Sequence, residues 1–200
     1  MYMTMRLSTD LSRREEGREM ESEKKHDLFD YAMKGMWEKV VEIYENYPKA
    51  REAKITKFED TALHIAVTNG ETATVLKLVD ILKLENANAS TILNMKNARG
   101  NTPLHLAAAL GDVGMCQSMA TIDEVIITNR NVEGETPLFL AALYGHEKAF
   151  LCLHSFHPEE TSCRNSNGDT ILHSAISGEY FSKCSSFFFS SPSLTFFFFF

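Results

Sequence analysis

Cys152, His154, His157 and Cys163 place two thiols and two imidazoles within twelve residues. These are the ligand types that zinc takes in tetrahedral sites, provided that all four donors converge on one point. The apolar spacing of Ala149, Phe150 and Leu153 predicts a helix there, and on a helix Cys152 and His154, two apart, point to different faces. His154 also falls in the apolar stripe at the end of that helix, a place for a packed imidazole. The cluster is therefore not assigned as a metal site, and no metal or cofactor is expected.

A second set of imidazoles, His64, His105 and His173, recurs at one position of a repeated pattern, with Phe139 standing at that position in one copy. A catalytic base needs one specific partner and a cleft. A residue that returns at a fixed period does the same job in every copy, which points to hydrogen bonding and packing. The chain has no phosphate loop, GxSxG elbow, HExxH or paired-carboxylate motif. No catalytic residue is assigned, and the chain reads as a non-enzyme.

The elements that carry these histidines are copies of one stretch, Gly100-Asn101-Thr102-Pro103-Leu104-His105-Leu106-Ala107-Ala108. It returns from Asp60 to Ala66, from Gly134 to Ala142 and from Gly168 to Ala175, with its leucine at 63, 104, 138 and 172. The steps of 41, 34 and 34 residues are those of a stacked repeat array. Leu28, followed seven residues later by Gly35 as Leu104 is by Gly111, marks a divergent first copy.

Each copy predicts a pair of short helices. Thr61, Thr102, Thr136 and Thr170 are N-cap candidates, and Pro103 and Pro137 suit the first helical position. A glycine then ends the first helix by admitting positive φ. Stripes of Val75, Leu78, Val79 and Leu82, of Met115, Cys116 and Met119, and of Ala149, Phe150 and Leu153 mark the second helices. Such short helices cannot bury their apolar faces alone, so neighbours must stack. Ala66, Ala107, Ala108, Ala141, Ala142 and Ala175 permit the close approach that stacking demands. The Asn- and Gly-rich connectors predict tight turns. Glu59 stands where the others have glycine, which predicts a distorted turn, and the long first step predicts a loop insertion within residues 83–90.

Asp and Glu outnumber Lys and Arg, 27 to 20, for a net charge of −7, which argues against a nucleic-acid footprint. The four cysteines are spaced 36, 11 and 21 apart with no CxxC pair. Without a secretory h-region, they read as reduced thiols of a cytoplasmic protein. Residues 1–24, rich in charges of both signs, read as a disordered or frayed helical leader. Residues 25–180 are the repeat domain, and 181–200 a tail outside the fold. Nine of the fourteen phenylalanines lie in that tail, where Lys183, Pro192 and six serines interrupt the apolar run a membrane span needs. Its Phe, Ser, Pro and Leu are what a pyrimidine-rich tract yields when translated.

The Thr-Pro-Leu-His-x-Ala wording at Thr102–Ala107 resembles the ankyrin repeat. That resemblance implies an all-α solenoid of stacked helix pairs with short hairpin fingers, about five repeats with the last truncated. Over residues 25–181, the eroded first repeat, the Asn-rich insertion and Gly168-Asp169-Thr170-Ile171-Leu172-His173-Ser174-Ala175 are similar to the N-terminal domain of plant ankyrin proteins that continue into a membrane domain, the PGG-domain group. It implies a non-catalytic protein-protein interaction module in signalling or stress response. The alternative is a membrane-associated regulator at the cytosolic face of the plasma membrane, held by a membrane domain or by the Phe-rich tail. The partner is an unidentified protein, contacted through the fingers and the residues before each helix-ending glycine. Carried onto this chain, these are Thr68, Asn69, Arg99, Asn101, Ala109, Leu110, Glu133, Glu135, Leu143 and Tyr144. Leu110, Leu143 and Tyr144 would form an apolar strip on an otherwise polar face, or else pack within the stack.

Overall fold

The computed structural model describes residues 23–85, 88–159, 163–171 and 173. Residues 23–33 form α1, followed by α2 (Trp37–Asn46), α3 (Ala62–Thr68), α4 (Thr72–Glu85), α5 (Ala89–Leu93), α6 (Pro103–Leu110), α7 (Val113–Ile122), α8 (Pro137–Leu143) and α9 (Glu147–Phe156). Short 3-10 turns at Pro48–Glu52 and Glu124–Thr128 follow α2 and α7. Among the described residues there is no strand, only an isolated bridge between Arg164 and Thr170.

The motif leucines organise the stack. Leu63, Leu104 and Leu138 are fully buried in one continuous core, and burying each stabilises the fold by about 1.5–3 kcal/mol. First helices pack on first helices, α3 on α6 and α6 on α8, while α2, α4, α7 and α9 form a second row behind them. Ala66, Ala107, Ala108, Ala141 and Ala142 lie buried between adjacent first helices, where their size sets the spacing. The stripes Val75/Leu78/Val79/Leu82, Met115/Cys116/Met119 and Ala149/Phe150/Leu153 are buried in the second row.

The cap residues behave as their chemistry dictates. The Thr61 and Thr136 hydroxyls accept from the amides of His64 and Phe139 at 3.4 and 3.2 Å, satisfying donors that the first turn leaves orphaned. At Thr102 the His105 amide reaches the Thr102 carbonyl at 3.0 Å, and the hydroxyl lies 2.8 Å from His105 Nδ1. Gly111 ends α6 at φ +79 and is held to glycine twice over: a Cβ there would fall 2.5 Å from His146 Nδ1.

Two expectations need correcting. Glu59 does not distort its turn, because it adopts φ +63 itself. Thr56 holds it there, its hydroxyl accepting from the Phe58 and Asp60 amides at 3.1 Å each, and Lys54 pairs with the Glu59 carboxylate. Nor are the extra residues of that unit simply loop. Helix α4 has 14 residues against 10 in α7 and α9, so the insertion adds about one turn of helix. Helix α5 then buries Ile92 and Leu93 as the Glu124–Thr128 turn buries Ile126 and Ile127. Ala175, Gly178, the leader to residue 22 and the tail lie outside the described residues.

Candidate functional site

The finger turns are built by one side chain each. Asn97 Oδ1 accepts from the Arg99 and Asn101 amides at 3.0 and 3.1 Å, and Asn165 Oδ1 does the same for Asn167 and Asp169. Such Asx geometry closes a turn without help from its neighbours. The fingers are then tied to one another through backbone: Ala98 N–H to Phe58 O at 2.8 Å, Val132 N–H to Arg99 O at 3.0 Å and Ser166 N–H to Glu133 O at 2.8 Å. Gly100 must stay bare for this approach, since a Cβ there would meet Val132 N at 2.8 Å.

The recurring histidines tie fingers to helices. The amides of Thr61 and Thr102 donate to Nδ1 of His64 and His105 at 3.3 and 3.1 Å. Nδ1 is therefore an acceptor and the proton sits on Nε2, which donates to Asn101 O at 3.0 Å and to Glu135 O at 3.1 Å in the next unit. Burial pushes both imidazoles toward the neutral form, His105 down to about 4. They are struts, and His173 makes the corresponding contact to the Thr170 hydroxyl at 2.7 Å. Phe139 stands where the next strut would be, fully packed and with no donor to offer the Asp169 carbonyl.

Between fingers and first helices runs an open groove of about 430 Å³. The neighbouring fingers supply Ala98, Arg99, Asn101, Asn131, Val132, Glu133 and Glu135 as its wall, and the first helices supply Leu106, Ala109, Leu140 and Tyr144 as its floor. Six of the ten expected contact residues meet here: Arg99, Asn101, Ala109, Glu133, Glu135 and Tyr144. The other four lie elsewhere. Thr68 and Asn69 are exposed at the end of α3, with Thr68 donating its hydroxyl to His64 O at 2.9 Å. Leu110, 45% exposed, leans toward Gly70, where a Cβ would lie 4.0 Å from its Cδ2. Leu143 is half-buried against the core, while Leu110 and Tyr144 are exposed. Leu106, Leu140 and Val132 were not anticipated. Their signal was present, because Leu106 and Leu140 each follow a motif leucine by two residues.

The thiols and the other imidazoles have different occupations. His154 stacks on Phe150 at 5.9 Å and 15°, and burial lowers its pKa. His157 Nδ1 lies 2.9 Å from Glu159. Burial pushes the Cys116 thiol up, away from the thiolate that nucleophilic chemistry requires. Among the described residues, no three metal-type side chains gather at one point.

Stacked helix pairs, left-handed glycines closing the first helices and fingers joined edge to edge define a helical repeat protein of the ankyrin architecture. The family model described as ankyrin repeats (3 copies) matches residues 28–126, so this segment belongs to the ankyrin repeats. Comparison with curated proteins finds no match. Ankyrin repeats are generally non-catalytic modules that bind other proteins.

Proposed function

We propose that this chain is a non-catalytic interaction module that binds its protein partner in the groove that the Arg99 and Glu133 fingers form with the first helices. The observation that carries this reading is the floor residue Tyr144, 49% exposed in a groove whose wall carries Arg99, Glu133 and Glu135. An exposed aromatic ringed by polar groups is the composition of an interface hot spot. The test is affinity capture with the wild type, Tyr144→Ala and Leu84→Asp. Leu84 is exposed far along α4, so partners retained by wild type and Leu84→Asp but lost by Tyr144→Ala support the groove. Partners lost equally, or kept by Tyr144→Ala, refute it.

The setting we infer is cytoplasmic signalling or stress response, supported by the resemblance to plant ankyrin-transmembrane proteins, with residues 25–180 as the working domain. A membrane-associated regulator is the second reading, favoured by the Phe-rich residues 181–200. No described helix is long and apolar enough to cross a membrane, so attachment would have to involve other residues. Fractionation with and without residues 181–200 separates the two.

A further inference from the structure

The groove carries its charges on neighbouring fingers. Glu133 is exposed, and its side chain has no hydrogen-bond or ion-pair partner among the described residues. Glu135 is half-buried beside it with one oxygen, Oε2, taken by Asn131 Nδ2 at 3.0 Å. The cations nearest this finger are committed to carbonyls: Arg130 donates to Gly134 O and Arg164 O at 2.8 and 2.6 Å, and Lys96 to Arg130 O at 2.8 Å. Two carboxylates with no ion-pair partner among the described residues therefore line the groove that has Tyr144 on its floor. Arg99, also without an ionic partner among the described residues, stands on the neighbouring finger.

Resting on the groove as the partner surface, we propose that it reads an arginine in an extended partner segment, the guanidinium held by Glu133 and Glu135 and laid over Tyr144. The planar fork matches carboxylate geometry and stacks on an aromatic face, whereas a lysine ammonium is a strongly hydrated point charge. A cation over tyrosine gains further attraction once partly desolvated. Arg99 gives the groove polarity. A partner carboxylate a few positions from the arginine pairs with it, and a second basic residue at that end is repelled.

The test is selection of random dodecapeptides displayed on phage against the full chain, followed by titration of the selected peptides as synthetic probes. The expected result is an arginine shared by the selected peptides. Lysine in its place, or Glu133→Gln with Glu135→Gln in the protein, weakens binding about tenfold or more. Glu135→Gln keeps an acceptor for Asn131, and matching thermal melts verify the fold of each variant. Peptides that need Tyr144 but carry no arginine, or that ignore both glutamine variants, overturn the arginine and leave the groove standing. Acidic peptides lost on Arg99→Gln overturn it as well, assigning recognition to the neighbouring finger. Absence of any Tyr144-dependent peptide overturns both the arginine and the groove.

Discussion

His105 Nε2 lies 3.1 Å from the carbonyl oxygen of Glu135, thirty residues further along the chain. That carbonyl also accepts the Asn131 amide at 3.0 Å, so both of its lone pairs are used. Neutral, the imidazole bridges the Thr102 amide, accepted at Nδ1, to the finger of the next unit; a proton on Nδ1 would orphan that buried amide.

Acid should therefore loosen the stack. The folded pKa of His105, about 4, lies below its ordinary value of 6.5, with burial as the cause. Its contribution is complete above pH 6.5 and is lost as pH falls toward 4, because the unfolded chain takes up a proton that the folded chain refuses. The loss is about 3 kcal/mol. Urea unfolding at pH 7 and pH 4.5 should show a smaller loss in His105→Phe, the residue that stands at 139. Equal losses in the two proteins contradict the strut.

Gly100 and Gly168 both have positive φ, +72 and +85, but of the two only Gly100 has backbone within 3 Å of its missing Cβ; Gly168 has nothing within 4 Å among the described residues. Gly168→Ala should cost only the left-handed strain of about 1–2 kcal/mol. Gly100→Ala should cost more and part the fingers as well. Thermal melts rank the two, and equal shifts refute the close approach.

Gly111 and His146 should be energetically coupled. Gly111→Ala drives a methyl into the His146 ring, whose Nε2–H donates to Ala109 O at 2.9 Å. Removing His146 gives the methyl room. The double variant with His146→Ala should therefore be more stable than the two single losses added together, by about 0.5–3 kcal/mol. Strict additivity in a denaturation cycle excludes the contact.

Ala107→Leu places three extra heavy atoms in a fully buried position between first helices. Overpacking of this kind costs about 1–3 kcal/mol. An unchanged melting temperature contradicts the tight first-helix stack.

What could be read in the sequence follows from what burial imposes. Leu63, Leu104 and Leu138 keep one phase because each must enter the core, and the second-helix stripes follow for the same reason. Glu59 misled because the pattern shows only that glycine is preferred there. The bonds from Thr56 that hold an ordinary residue in the same conformation are a property of the whole turn. A length difference of seven residues between units likewise does not reveal whether helix or loop absorbs it. The groove was half legible: Arg99, Glu133, Glu135 and Tyr144 came from the ankyrin resemblance, which puts partner contacts on the fingers and before each helix-ending glycine. Leu106 and Leu140 were marked only by following a motif leucine by two residues; that the fingers stand over them to make a groove is a matter of tertiary spacing.

The ties between units share one property of scale. The Ala98–Phe58 bond spans forty residues, His64–Asn101 thirty-seven, and Val132–Arg99 thirty-three. Each joins a unit to its immediate neighbour. Adding a unit to such a chain lengthens the molecule without lengthening any loop that folding must close. The entropic cost of closure, which grows with the logarithm of loop length, is then the same at every junction. Assembly can begin at whichever pair of units meets first and spread in both directions, so folding speed is governed by the strength of one junction and is nearly independent of how many junctions there are.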